Sequence, residues 1–350
     1  GDGERGVVTL TNGNYVVSTT NWFSSGRFGA VTWCSGSAAT ANIVGETNSV
    51  IGYGSNVNIT PLYNGNYVAN SPFWGYDRVV FGITQNVINA GAVSFCNGTM
   101  ITTAFVDTSN TLYGSNSYDL IGVSGVLALT NGNYVVLSEW WENRHSGDYA
   151  TRAGAATWAD GTTGIIGEID PTNSLVGTHD EDFIGRYSLA LPSGNYLVAG
   201  NSWDNGAILD AGAVAWGNGA TGSVGEVTSS NSLVGSHNRD KVANGVAFAS
   251  PFMQLSNGNF LVNSQSWLFN TGAVTFGNGN SGITGVLSNS NSLTGYSTLT
   301  NLGASAPVEL DNGAYAVYSN MHYAAPGAGS VTVGSTATGI SGQISLNNSL

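Results

Sequence analysis

An eight-residue stretch, Leu129-Thr130-Asn131-Gly132-Asn133-Tyr134-Val135-Val136, returns in close copies at residues 10–17, 62–69, 191–198, 255–262 and 310–317. A Gly flanked by Asn, set between an apolar run and an aromatic plus β-branched run, is a strong hairpin signal, because its positive-φ turn matches the twist of the strands it joins. Six such hairpins constrain the fold more than any other feature of the chain.

Each hairpin opens a unit of the same plan. Strand a ends at the Asn-Gly turn, and strand b follows and closes near a large aromatic: Trp22, Trp74, Trp140 with Trp141, Trp203, Trp267 or Tyr323. After a loop of variable length comes strand c, a Gly-Ala-Val-Thr-Trp-like run that begins at Gly29, Gly91, Gly154, Gly212, Gly272 or Gly329. A second Gly-rich turn leads to strand d, clearest as Ile166-Gly167-Glu168-Ile169 and Val224-Gly225-Glu226-Val227. Each unit ends on an Asn-Ser-Leu-like sequence, at Asn48, Asn110, Asn173, Asn231, Asn291 and Asn348. Four short strands in about 58 residues, six times over, predict an all-β, six-bladed β-propeller with four antiparallel strands per blade. The expected blades are residues 1–51, 52–113, 114–176, 177–234, 235–294 and 295–350, within a single domain. Nearly continuous apolar runs in strands b and c imply sheets covered on both faces. Whole units tile the chain, so the ring is expected to close and leave no exposed end blade.

Composition excludes several partners. The formal charge is −13, and one Lys (Lys241) with seven Arg makes no basic patch able to follow a phosphate backbone, so no nucleic-acid binding is expected. Anionic membrane surfaces are disfavoured for the same reason, and no apolar run approaches the roughly 20 residues of a membrane-spanning helix, so no direct membrane insertion is expected. The chain opens at Gly1 without a signal peptide, which reads as a processed or excised piece. Cys34 and Cys96 share one repeat position with Ala159, Gly217, Gly277 and Gly334, and are expected to be small buried residues, with a disulfide the alternative.

The combination of Leu-x-Asn-Gly-Asn-Tyr-Val-Val, Gly-Ala-Val-Thr-Trp and Asn-Ser-Leu-Val-Gly resembles the repeats of large secreted bacterial proteins of the filamentous-haemagglutinin and adhesin type. That resemblance spans the whole chain and implies a propeller-like repeat in an extracellular, secreted or cell-surface protein. It carries no catalytic or ligand residues with it. The sixth unit departs furthest, with Ala314 in place of Asn and Val333 in place of Trp or Phe.

No catalytic constellation is complete. Metal-ligand spacings of His or Cys are absent and the four His are scattered; His179 and His237 are equivalent, which points to structure. There is no nucleophile elbow or phosphate loop. Ser202-Trp203-Asp204-Asn205-Gly206 begins a sialidase-type box that Ile208-Leu209 fails to finish. Glu46, Glu168 and Glu226 are expected at one strand-d position that Val286 and Gln343 occupy elsewhere, as on a solvated strand. No cofactor is expected; calcium is the one alternative, through Asp119, Asp182 and Asp240 or Asp107 and Asp170, although Asp in such loops usually closes an Asx turn.

Strand parity places the b–c and d–a loops at one end of every blade, and these loops carry the length variation: residues 73–90, 140–152 and 247–253. Variable loops on a rigid scaffold are where recognition is usually placed. The expected ligand or partner site is Trp74, Tyr76, Trp140, Trp141, Glu142, Arg144, His145, Asp148 and Arg152. The function expected is non-enzymatic adhesion or recognition of a glycan or protein surface. The alternatives are a structural bead that joins copies of itself in an extracellular fibre and a glycan-active hydrolase.

Overall fold

A computed structural model describes residues 6–24, 26–38, 43–54, 56–144, 149–245, 250–298, 300–319 and 329–350. It is all-β, with one helical turn among the described residues at Trp267–Asn270. Two compact units are distinct: residues 1–176 with 219–225, and residues 177–218 with 226–350.

The third repeat shows why the hairpin sequence recurs. Leu129 N–H donates to Asn133 O at 2.8 Å and Gly132 N–H to Leu129 O at 2.9 Å, so the turn is a three-residue loop that ends on Gly132 at φ 92°. A left-handed residue at that place is what fits such a loop to twisted strands. Asn131 Oδ1 accepts the Asn133 N–H at 3.1 Å and stiffens the loop from inside.

Strands a (Gly125–Ala128), b (Tyr134–Ser138) and c (Ala155–Ala159) are antiparallel in that order, as expected. The fourth strand is not d. It is the Asn-Ser-Leu segment, Leu175–Val176, paired antiparallel with c and called strand e below. Strand d, Gly167–Glu168, lies in the sheet of the preceding repeat, parallel to its strand e, Leu112–Tyr113. The same exchange puts Ala104–Phe105 beside Ser49–Ile51, Gly285–Val286 beside Ser232–Val234 and Gly342–Gln343 beside Ser292–Thr294. Two short β-rich runs are interchangeable in a sequence pattern; burial separates them, since Leu175 and Val176 are buried and Gly167 and Glu168 only half so.

The Asn before strand e closes the d–e turn. Asn173 Oδ1 accepts Asp170 N–H at 3.1 Å and its Nδ2 donates to Glu168 O at 2.8 Å. Asn48 does the same with Gly45 N–H and Ile43 O. Ile43 is therefore the counterpart of Glu168, and the expected alignment of Glu46 with Glu168 and Glu226 is corrected by this bonding.

A second set of bonds joins each repeat to the next. Asn131 Nδ2, Asn133 Nδ2 and Trp158 Nε1 all donate to Gly219 O, at 2.7, 2.8 and 3.0 Å. Asn12, Asn14 and Trp33 treat Gly98 O identically, and Ser193, Asn195 and Trp216 treat Gly279 O likewise. The second Asn also faces its own repeat: Asn133 Oδ1 accepts Gly161 N–H at 3.0 Å. A side chain at Gly161 would strike the carbonyl of Gly132, so the two turns of a repeat meet backbone to backbone.

The core is layered between neighbouring sheets, as two-sided burial of strand b implies. One layer joins Leu10, Val16 and Val50 with Tyr67 and Trp74; another joins Leu62, Val93 and Leu112 with Tyr134 and Trp141. The second unit repeats this with Leu191, Val214, Phe260 and Trp267, and with Leu255, Val274, Tyr315 and Ile344. Cys34 and Cys96 are free and buried; burial raises the Cys96 thiol to about 12.

The sixth sheet has three strands, Val308–Leu310, Ala314–Ser319 and Ser330–Ser335, with a bridge from Thr332 to Ser349. Among the described residues no further strand pairs with it, and the ring closure expected from the tiling is not shown. What stands is an all-β array of six repeats, a number that fits a six-fold arrangement.

Asn133→Ala removes a donor to Gly219 and the acceptor for Gly161 N–H. It is expected to lower unfolding free energy by about 2 kcal/mol in denaturant titration, against a change within about 0.5 kcal/mol for the exposed Ser109→Ala.

Candidate functional site

Antiparallel strands send the b–c and e–a loops out of the same end of each sheet, and hydrogen bonds tie the two loops together there. Tyr118 and Ile121 N–H donate to Ile88 and Ala90 O at 2.9 and 3.0 Å; Val242 N–H donates to Ala211 O at 3.0 Å, and Leu302 N–H to Thr271 O at 3.2 Å.

One buried Asp in each of three e–a loops locks this arrangement. Asp119 accepts Asn116 N–H at 2.8 Å and Glu142 N–H, in the next b–c loop, at 3.1 Å. Asp182 accepts Thr178, His179 and Asp204 N–H, and Asp240 accepts Ser236, His237 and Leu268 N–H. These carboxylates, considered above for calcium, are spent on backbone amides. Asp107 and Asp170 close Asx turns on Ser109 and Thr172. Among the described residues, no three His, Cys, Asp or Glu side chains gather as a metal site would need. His179 and His237 sit beside their Asp at 3.7 and 3.4 Å, partners of the same lock.

The aromatic that ends strand b is a plug. Trp74, Trp141, Trp203 and Trp267 are all at most 6% exposed, and the carbonyl of each accepts the N–H of the Gly that starts strand c. Trp141, expected at a ligand surface, is 1% exposed, and its ring serves packing instead. Trp74 is buried on one side, but its ring stacks on Tyr76 with centroids 5.1 Å apart, and Tyr76 meets Tyr113 edge-on at 5.5 Å.

The remaining expected residues form a second group. Trp140 is 37% exposed beneath the Arg152 guanidinium, 4.7 Å from its ring centre. Arg144 pairs with Glu142 at 3.0 Å and lies over Tyr149. His145 and Asp148 lie outside the described residues. The structure thus splits the nine into a second-repeat pair and a third-repeat group.

The second-repeat pair lines a cleft of about 620 Å³. Its walls come from the b–c hairpin of the first repeat (Arg27, Phe28), from Tyr53, from the b–c loop of the second repeat (Phe73, Tyr76, Asp77) and from Asp107. Phe28 and Phe73 are both 53% exposed, and the Arg27 guanidinium lies 4.5 Å over Phe105. Sequence reading found Trp74 and Tyr76 but missed Arg27, Phe28 and Asp107, which come from other loops with no spacing signal between them. The second unit has a cleft of about 610 Å³ built at the same kind of junction, from Leu209 and Asp210, Arg239 and Lys241, and Ser266 and Phe269. Aromatic walls and two Asp mark the first; Lys241, 3.6 Å from Asp210, and Arg239 mark the second.

The long second-repeat loop also differs from expectation. It folds as a hairpin of its own, Tyr76–Val80 against Ile83–Val87, with Phe81 at φ 51° on a fully exposed tip.

Burial outweighs the amide donors and raises the Asp119 carboxyl to about 7 and that of Asp182 to about 6. A carboxyl whose folded pKa exceeds its unfolded value near 4 holds a proton in the folded chain that the unfolded chain releases, so its stabilisation is complete below about pH 4 and lost as pH rises. Thermal melts are expected to show stability falling between about pH 4 and pH 7, with the Asp182 share lost first.

Residues 9–60, 61–123, 128–186, 190–244, 254–304 and 309–350 match the model of a family described as a repeat of unknown function (DUF5650). Every match opens one residue before the Leu of an Asn-Gly or Ser-Gly hairpin. No curated protein matches the chain. Nothing in the match connects these repeats with filamentous-haemagglutinin or adhesin proteins, and the resemblance expected from the sequence narrows to the repeat itself. The chain belongs to the DUF5650 repeat family.

Proposed function

We propose that the chain is a non-enzymatic recognition domain that works outside the cell, a six-bladed, propeller-like array presenting its b–c and e–a loops to a glycan or protein ligand. The observation that carries this reading is the first-unit cleft. Its volume, about 620 Å³, falls in the roughly 300–1,000 Å³ range of small-molecule sites. Exposed Phe28 and Phe73 and the half-buried Tyr76 offer apolar ring faces, while Arg27, Asp77 and Asp107 offer both charges. Rings beside polar groups suit a sugar, which has an apolar face and a hydroxyl rim, and the scaffold below holds the rings in place at little entropic cost. The acidic chain, with few cations, is consistent with a ligand that is neither nucleic acid nor an anionic bilayer.

Binding to an array of neutral and charged glycans tests the first reading. Phe73→Ala and Tyr76→Ala are each expected to weaken binding about tenfold, with Trp140→Ala in the third repeat leaving it unchanged. Binding lost only in Trp140→Ala would move the site to the third repeat. Hydrolysis of a bound glycan, abolished in Asp77→Asn or Asp107→Asn, would replace recognition by catalysis.

A further inference from the structure

The cleft of the second unit stands at the same place in its repeats as the first-unit cleft, between two successive b–c loops and the e–a loop that joins their sheets. Trp74 and Trp267 are equivalent plugs, so Tyr76 and Phe269, each two residues further on, are counterparts. The charge differs. Asp77 and Asp107 line the first cleft beside Arg27, whereas Arg239 and Lys241 line the second beside Asp210. Residues 177–218 and 226–350 hold three Lys or Arg in all, Arg186, Arg239 and Lys241, so most of the positive charge of that unit is spent on one cleft.

The fold does not require cations there. Arg239 N–H donates to Leu209 O at 2.8 Å and Lys241 N–H to Asp210 O at 2.9 Å, and both residues are left-handed, at φ 65° and 46°. In the second repeat the same two bonds run from Tyr118 and Leu120 to Ile88 and Asn89, at φ 72° and 50°. Glu181 and Phe183, either side of the equivalent Asp182, take φ 62° and 51°. Tyr, Leu, Glu and Phe thus fill the same two places, and a left-handed backbone favours Gly, Asn or Asp over a long cation. The positive pair therefore answers to the cleft and not to the loop.

The walls are fixed before a ligand arrives. Leu209 N–H donates to Asn238 Oδ1 at 2.9 Å, and Asp240, buried beneath, accepts Leu268 N–H at 2.9 Å, which ties all three loops together. Phe269 and Leu209 offer apolar surface at 66% and 57% exposure. Lys241 meets Asp210 at 3.6 Å, and among the described residues no side chain pairs with the Arg239 guanidinium. Two positive groups and one negative leave one net positive charge in about 610 Å³, which a ligand carrying a single negative charge balances.

We propose that this cleft binds an acidic sugar, a hexuronate residue of a glycan, with the sugar ring on Phe269 and its carboxylate at Arg239 and Lys241; the site rests on the reading of the loop end as a recognition surface and adds to it a second cleft of opposite preference. A guanidinium fork matches a carboxylate, an aromatic face matches a sugar ring, and Asn270 and Ser266 are at hand for hydroxyls. A phosphate, with nearly twice the charge, is matched less well beside Asp210.

Isothermal titration calorimetry of the full chain with tetramers of galacturonate, glucuronate and mannuronate, and with their methyl esters, tests this. At least one uronate tetramer is expected to bind, about tenfold or more tighter than its ester, and less tightly as salt is added. Arg239→Gln, Lys241→Gln and Phe269→Ala are each expected to weaken it about tenfold, with circular dichroism checking that each variant is folded. Asp210→Asn keeps a residue suited to left-handed backbone while removing the opposing charge; it is expected to tighten binding several-fold, a gain that a damaged fold cannot mimic. Phe73→Ala and Tyr76→Ala, in the other cleft, are expected to leave uronate binding unchanged. Failure of all three uronates to bind overturns the proposal, as does equal binding of the esters or of a sulfated neutral tetramer, or binding that survives Arg239→Gln with Lys241→Gln. Uronate binding lost in Tyr76→Ala and kept in Phe269→Ala overturns it while leaving recognition at the first cleft intact. Uronate binding that depends on Phe269, with no glycan bound through Tyr76, supports this site and overturns the first-cleft reading instead.

Discussion

Everything in this structure hangs on one carbonyl per junction. The turn after strand c offers an oxygen that the preceding repeat meets with two hairpin side chains, both Asn or a Ser and an Asn, and, where strand c carries Trp, an indole N–H. Gly98 and Gly219 show all three donors. Asn66 and Asn133 also accept the N–H of their own turn, so one amide holds both the turn of its repeat and the turn of the next. Directional bonds of this kind set the register between sheets, which apolar packing alone leaves loose. Strand d adds a second link, because two residues of a later repeat complete the sheet of the one before.

The consequence is a division of labour between the two ends of each sheet. The turn end is occupied by this clasp and tolerates little change. The loop end is held by buried Asp carboxylates and Trp plugs set just beneath the surface, so the loops above them can vary. Asp119, Asp182 and Asp240 bind amides from two successive loops, which holds together segments that are distant in sequence. A carboxyl buried this deeply is costly when ionised, and the raised values at Asp119 and Asp182 express that cost.

The sixth repeat departs from this clasp, with Ala314 in place of the second Asn and Val333 in place of Trp.

The hairpins, the six repeats, the two-sided burial of strands b and c and the shared end of the variable loops were legible in the sequence, because each depends on local turn chemistry or on the period of apolar residues. The role of Asn-Gly-Asn was half legible: its turn could be read, its reach into the next repeat could not. Strand d was assigned to the wrong sheet, since pairing partners of two-residue strands are chosen by contacts that no local pattern records. The site divided in the same manner. Trp74 and Tyr76 stood out as aromatics in a long loop, but Trp141 is equally conspicuous and is buried, and Arg27, Phe28 and Asp107 join the cleft only because neighbouring sheets bring separate loops together. Residue type and local spacing belong to the sequence; which of those residues face solvent, and beside whom, was decided by the packing of one sheet upon the next.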